Sequence, residues 1–131
     1  MTDDEFLRAF SACTLGNHEF RHRDHLRLAW LQVRRLGPEA AAEAVAQGIS
    51  RFAATHGATA KYHDTMTRFW VRIVAHMAEA RPDIDDFDRF LEAFPSLLDK
   101  SLPFRHWERE TMLSPAARLA WVEPDVLPLP G

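Results

Sequence analysis

The sequence has a single cysteine and no long apolar run, and each absence excludes a class of protein. Because Cys13 stands alone, an intramolecular disulfide framework and a cysteine-rich zinc site are excluded. No apolar stretch approaches the roughly 20 residues that a membrane-spanning helix needs. The acidic start, with Asp3, Asp4 and Glu5, is atypical of a signal peptide. We therefore expect a cytoplasmic protein that does not enter a membrane.

Signals for β-structure are also missing. No alternating run rich in Val, Ile and Thr occurs, and neither Asn-Gly nor Asp-Gly marks a hairpin turn. Only Pro38 precedes Pro82, and because proline interrupts helices, long helices are expected early in the chain. The 131 residues, 47% of them hydrophobic, are enough for one domain with its own core. We predict an all-α, single-domain bundle (1–131) of five or six helices with an extended, proline-rich C-terminal strap.

Capping residues and apolar spacing predict where these helices lie. Thr2 and Glu5 have the spacing of a capping box, Asp24 is a candidate N-cap, and Pro38 suits the first turn of a helix. The predicted helices cover about residues 3–14, 24–36, 38–56, 62–81, 87–94 and 115–121. The predicted strap is the remainder, 122–131.

Charge is unevenly distributed along the chain. The net charge is −3, with basic residues concentrated in 21–81 and acidic residues in 82–131. Two such regions would attract each other across the domain. The alternative is an anion-binding face built from Arg21, Arg23, Arg27, Arg34 and Arg35. Nucleic-acid binding is disfavoured, because no aromatic residues are interleaved with a basic run and the total charge is modest.

Seven histidines accompany a single tyrosine, and three of the histidines are predicted to converge. At about 100° per residue, His25 falls on the apolar face of the second helix, and His22 precedes it by one turn. His63 falls on the inward face of the fourth helix, also at its start. By contrast, His106 lies among charged residues and is expected to be exposed. We predict a polar pocket where the two helix starts meet.

Three imidazoles in one pocket suggest a metal site. Imidazole is a good ligand for Zn, Fe, Ni or Cu, and three of them leave coordination positions open for water and a small-molecule substrate. The leading hypothesis is therefore a divalent-metal site formed by His22, His25 and His63, in a small metalloenzyme. Three polar residues near the last histidine are candidates for orienting the imidazoles or a substrate: Tyr62, Thr65 and Thr67.

Three alternatives stay open. Buried histidines are often hydrogen-bonded core residues, which would make this a non-enzymatic structural or protein-interaction domain. A metal-free acid/base or ligand site is the second. The third is a zinc peptidase, because His18, Glu19 and His22 match the HExxH pattern. That pattern needs a continuous helix, which Gly16-Asn17 interrupts, so the peptidase is the weakest of the three.

The two histidine segments resemble a group of small bacterial helical proteins of unknown function. Their shared pattern pairs F-x-H-x-x-H-L-x-x-A-W with Y-H-x-T-x-T-x-F-W and ends in Pro-Asp-x-x-Pro-Leu-Pro. Here these are residues 20–30, 62–70 and 124–130, and the resemblance spans most of the chain. It implies no activity, and His18 and Glu19 lie outside the pattern. It does imply that five residues belong to one feature: His22, His25, His63, Thr65 and Thr67.

Overall fold

A computed structural model describes residues 1–16 and 20–130, and these residues form an all-α structure. Helices account for 68% of it and the described residues contain no strand, which confirms the predicted fold class. None of the described helices is long and apolar enough to cross a lipid bilayer. The α-helices are α1 (Asp3–Ser11), α2 (His22–Leu36), α3 (Pro38–Thr55), α4 (Asp64–Ala80), α5 (Phe87–Ala93), α6 (Arg109–Met112) and α7 (Pro115–Leu119).

Short 3₁₀ turns complete the described part of the chain. They lie at Thr59–Lys61, Pro95–Leu98 and Leu102–Arg105. The described residues contain seven α-helices rather than five or six. The helix missing from the prediction is α6, whose four residues are too few to produce a recognisable apolar period.

The three long helices α2, α3 and α4 pack against one another and contain much of the core. Leu26 on α2 and Phe69 and Val74 on α4 have no exposed surface. Close packing of α1 against α3 depends on Gly48, because a Cβ there would lie only 2.6 Å from the Phe10 ring. The arrangement brings the starts of α2 and α4 to the same part of the molecule.

The start of α2 differs from the prediction. Asp24 is not the N-cap, because the helix begins at His22 and Arg21 occupies the N-cap position. The Asp24 carboxylate instead accepts a hydrogen bond from the Arg21 backbone N–H at 2.9 Å. A carboxylate at the third helical position can reach back in this way. As a consequence, His22 belongs to the first turn of the helix rather than to the loop before it.

The start of α4 is also shifted. The helix begins at Asp64 rather than near Tyr62, because the 3₁₀ turn Thr59–Lys61 precedes it. His63 is the N-cap and has extended backbone angles. Its side chain therefore projects from the point where the chain enters the helix.

The segment after α7 packs on the preceding turns and buries His106, so the expectation that His106 is exposed is wrong. Only 7% of His106 is accessible. Its Nδ1–H donates to the Leu127 carbonyl at 2.9 Å, and its own carbonyl accepts from the Val126 and Leu127 N–H groups. Trp107 donates its indole N–H to the Val122 carbonyl. The charged neighbours of His106 in sequence gave no sign of a partner 21 residues later.

Candidate functional site

Residues at the starts of α2 and α4 line a common pocket of about 310 Å³. His22 and His25 come from α2, and His63 is the N-cap of α4. The structure therefore brings the three histidines singled out from the sequence to one place. The other lining residues are Ile49, Lys61, Tyr62, Met66, Thr67 and Trp70.

A backbone carbonyl fixes the tautomer of His22. The His22 Nε2 lies 2.8 Å from the Leu97 carbonyl oxygen, and because a carbonyl only accepts, Nε2 carries the proton and donates it. The imidazole packs edge-on against Trp70, with ring centroids 4.5 Å apart. Burial lowers the pKa of His22, and the positive charge of Lys100 acts in the same direction. The ring is therefore neutral at pH 7, and Nδ1 keeps its lone pair.

His25 is held against Phe20 at the side of the pocket. The two rings stack with centroids 4.1 Å apart, which holds the imidazole beside the pocket. Burial lowers the pKa of His25 to about 4, and the proximity of His22 contributes to this shift. His25 is thus also neutral at pH 7. Since a neutral imidazole has one donor and one acceptor nitrogen, one ring nitrogen of His25 is an acceptor.

His63 differs from the other two because both of its ring nitrogens have protein partners. The Met66 backbone N–H donates to Nδ1 at 3.1 Å, which is the N-cap bond of α4. Nε2–H donates to the Met112 carbonyl at 2.7 Å. Met112 is the last residue of α6, where carbonyls lack partners within the helix. His63 therefore shapes the pocket but offers no free lone pair to it.

Tyr62 and Thr67 line the pocket and are held by local hydrogen bonds. The Tyr62 hydroxyl donates to Asp64 Oδ1 at 2.6 Å. Burial and this contact with the carboxylate raise the pKa of Tyr62. The Thr67 hydroxyl donates to the His63 carbonyl at 2.7 Å. Both side chains are thus fixed in position beside the histidines.

Thr65 has a different place. It does not line the pocket, although it was a candidate for orienting the imidazoles or a substrate. Its hydroxyl, which is fully buried, donates to the Ala120 carbonyl at 2.9 Å and accepts from the Val122 N–H at 3.2 Å. Thr65 therefore connects α4 to the segment after α7.

Within the described residues, no three His, Cys, Asp or Glu side chains are arranged to hold a metal ion. Both His63 nitrogens have protein partners, so His63 has no lone pair to offer a metal. His22 and His25 are the two histidines of the pocket that keep an acceptor nitrogen. His18 and Glu19 of the HExxH match lie outside the described residues.

Sequence reasoning missed four pocket residues: Ile49, Lys61, Met66 and Trp70. The three apolar residues have the spacing of ordinary core residues on α3 and α4. Lys61 directly precedes Tyr62-His63, and that position was the one available signal that it belongs to the site.

A larger groove of about 810 Å³ lies between α3, α4 and the C-terminal segment. Its charged groups contact their neighbours: Arg68 pairs with Glu43 at 2.6 Å, and Arg72 lies over the Trp121 ring at 4.1 Å. The polar side chains that line this groove are exposed or half-buried. In the smaller pocket, by contrast, His22 Nδ1 is an acceptor next to the apolar surface of Ile49 and Trp70, so the histidine pocket is the stronger candidate for a ligand site.

The buried neutral imidazoles predict that stability falls as the pH drops from about 6.5 to 4. In this range an unfolded histidine, with a pKa of about 6.5, binds a proton that folded His25 does not. The unfolded state is therefore favoured as the pH falls, and His22 shifts in the same direction. His25 alone should remove about 3 kcal/mol of the free energy of unfolding. Urea denaturation across this pH range measures the change in the free energy of unfolding.

Two variants isolate the contribution of His25. His25→Gln has no titratable ring, so its stability should depend less on pH between about 6.5 and 4. His76→Gln, which removes an exposed histidine of α4, should keep the wild-type dependence. The same pH dependence in all three proteins would show that His25 is not buried as a neutral ring.

Comparison with known proteins gives no match: no protein-family model, no curated protein and no solved structure corresponds to this chain.

Proposed function

We propose that the pocket at the starts of α2 and α4 binds a small, ring-containing molecule that donates hydrogen bonds to His22 and His25. One observation carries this proposal: both imidazoles are neutral, and the Leu97 carbonyl engages the N–H of His22, so His22 Nδ1 and one ring nitrogen of His25 are left as acceptors. Two fixed acceptors at one pocket suit a ligand with hydroxyl or N–H groups.

The walls of the pocket support a ring as the body of the ligand. Ile49, Met66 and Trp70 provide apolar and aromatic surface, and Trp70 is itself held by contacts with His22 and Phe69. Ligand sites are typically apolar clefts of about 300–1,000 Å³ with a few well-placed polar groups. A pocket of about 310 Å³ has the size for a single substituted ring.

Phenol is a suitable probe, because it combines a ring with one hydroxyl donor. We expect it to bind with a dissociation constant on the order of 1 mM to 10 mM, seen as shifts of the Trp70 indole resonance in NMR titrations. Anisole has the same ring without the donor and should bind about fivefold more weakly, since a net hydrogen bond contributes about 1 kcal/mol.

Two variants test whether His22 contributes to the binding of phenol. His22→Phe removes an acceptor and should reduce the preference for phenol over anisole, whereas His76→Phe, on the exposed face of α4, should leave it unchanged. Comparison of phenol with anisole in the wild-type protein does not depend on the folding of any variant. Equal binding of the two probes, or binding of neither, would overturn the proposal.

A transition metal is the second candidate for the ligand of this pocket, held by two histidines instead of three. Donation of the His22 N–H to the Leu97 carbonyl is the contact that typically orients a metal-binding imidazole. The donor set fits a metal poorly, however, because only His22 and His25 keep an acceptor nitrogen. If Zn, Fe, Ni or Cu binds, these two residues would hold it and His63 would not.

Thermal denaturation with added Zn²⁺, Ni²⁺ or Cu²⁺ tests this second candidate. Metal binding to the folded state should raise the melting temperature, and His22→Phe should abolish the rise. His63→Asn should retain it, since His63 is not a ligand in this arrangement. If none of the three ions raises the melting temperature, zinc, nickel and copper are excluded as ligands of this pocket, and the phenol titration tests the organic ligand separately.

A further inference from the structure

Lys61 is the one charged side chain that lines the histidine pocket, as far as the structure describes the chain. It is the last residue of the turn Thr59–Lys61, which a hydrogen bond from its backbone N–H to the Ala58 carbonyl closes. Its side chain is exposed and forms no ion pair with any described residue. The ammonium group is thus available at the mouth of a pocket whose other lining groups are uncharged.

The surroundings of Lys61 favour an anionic partner. The nearest carboxylate in sequence, Asp64, already binds the Arg68 guanidinium at 2.9 Å and the Tyr62 hydroxyl. Asp24, whose charge acts on His25, accepts the Arg21 backbone N–H. Asp64 and Asp24 therefore pair with groups other than the Lys61 ammonium.

Two long helices add to the positive potential. α2 and α4 both begin at the pocket, and a helix N-terminus carries a partial positive charge. The charge of Lys100 also reaches this region, since it helps to lower the pKa of His22. Lys61, Lys100 and the two helix starts therefore add positive potential at the pocket mouth, which Asp24 and Asp64 partly offset, while His22 and His25 remain neutral acceptors.

We propose that the ligand of this pocket is a small carboxylic acid, with its ring and hydroxyl or N–H donor at the histidines and its carboxylate paired with Lys61. This inference rests on the proposed function and specifies the chemical class of the ligand. The neutral acceptors do not attract a carboxylate, because two acceptors cannot share a hydrogen bond. The anionic end must accordingly face the mouth.

Two probes of similar shape and different charge test whether the carboxylate of the ligand contributes to binding. 4-Hydroxybenzoate and 4-hydroxybenzamide share the ring and the hydroxyl donor, and differ in that only the first carries a negative charge at pH 7. We expect the acid to bind about threefold more tightly than the amide at low salt, as an exposed ion pair allows. The preference should diminish in 0.5 M NaCl, where a roughly 4 Å Debye length screens the pair.

Lys61→Gln should abolish the preference for the acid over the amide. Arg51→Gln removes the same charge from an exposed position of α3 outside the pocket and should retain the preference. Equal affinity of both probes for the wild-type protein would overturn this inference and leave the proposed function intact. If neither probe bound, the proposed function itself would fail.

Discussion

Replacing His63 by alanine is expected to lower the free energy of unfolding by about 2–4 kcal/mol. Removal of the imidazole deletes the N-cap bond of α4, which is worth about 1 kcal/mol. It also leaves the Met112 carbonyl at the end of α6 without its donor, at a cost of about 1–3 kcal/mol for a group shielded from water. Urea denaturation at pH 7.5 measures the sum.

His63→Asn separates the two contributions. Asparagine is a good N-cap, so its side-chain oxygen can replace Nδ1 as the acceptor for Met66, but it is too short to reach Met112. This variant should recover about 1 kcal/mol relative to alanine. A His63→Ala protein as stable as the wild type would show that the two hydrogen bonds do not hold α4 and α6 together.

Thr65→Val should lower the free energy of unfolding by about 2–4 kcal/mol, as much as His63→Ala, although it hardly changes the shape of the side chain. The valine has no hydroxyl, so the Ala120 carbonyl and the Val122 N–H lose their partner together. An unpaired backbone group that is shielded from water costs about 1–3 kcal/mol, and both of these hydrogen bonds are partly buried. The measurement is again the free energy of unfolding in urea, and the segment after α7 should also show faster amide exchange.

Thr65→Ser is the matched control, since it keeps the hydroxyl and removes one buried methyl group. It should cost about 1 kcal/mol, the value for one methyl group, and preserve the slow amide exchange of Val122. If the serine variant were as unstable as the valine variant, packing rather than hydrogen bonding would account for the importance of Thr65.

The part of the fold that depends on local signals was predictable from the sequence. The all-α class followed from the absence of strand patterns, and α3 begins at Pro38 and ends near His56 as its proline and glycine neighbours indicated. The inward direction of His25 was predicted from helical periodicity. His22 was expected just before its helix but lies in the first turn, and His63 was expected inside α4 but is its N-cap.

The hydrogen-bond partners of those residues were not predictable. His63 binds a carbonyl 49 residues away, and Thr65 one 55 residues away, and a periodic pattern contains no information about either. For the same reason the sequence did not distinguish His63, which has no free nitrogen, from His22, which keeps one. A three-histidine metal site was a reasonable expectation until the acceptor carbonyls were located.

The central claim is that His22 and His25 present neutral, unprotonated nitrogens to a ligand. The most direct test is long-range ¹H–¹⁵N NMR of the histidine rings at pH 7, recorded with and without phenol. We expect an Nε2–H tautomer for His22, with a lone-pair Nδ1 signal that shifts on addition of phenol and much less on addition of anisole. A protonated His22 ring, or an Nδ1 signal that does not respond to phenol, would contradict it.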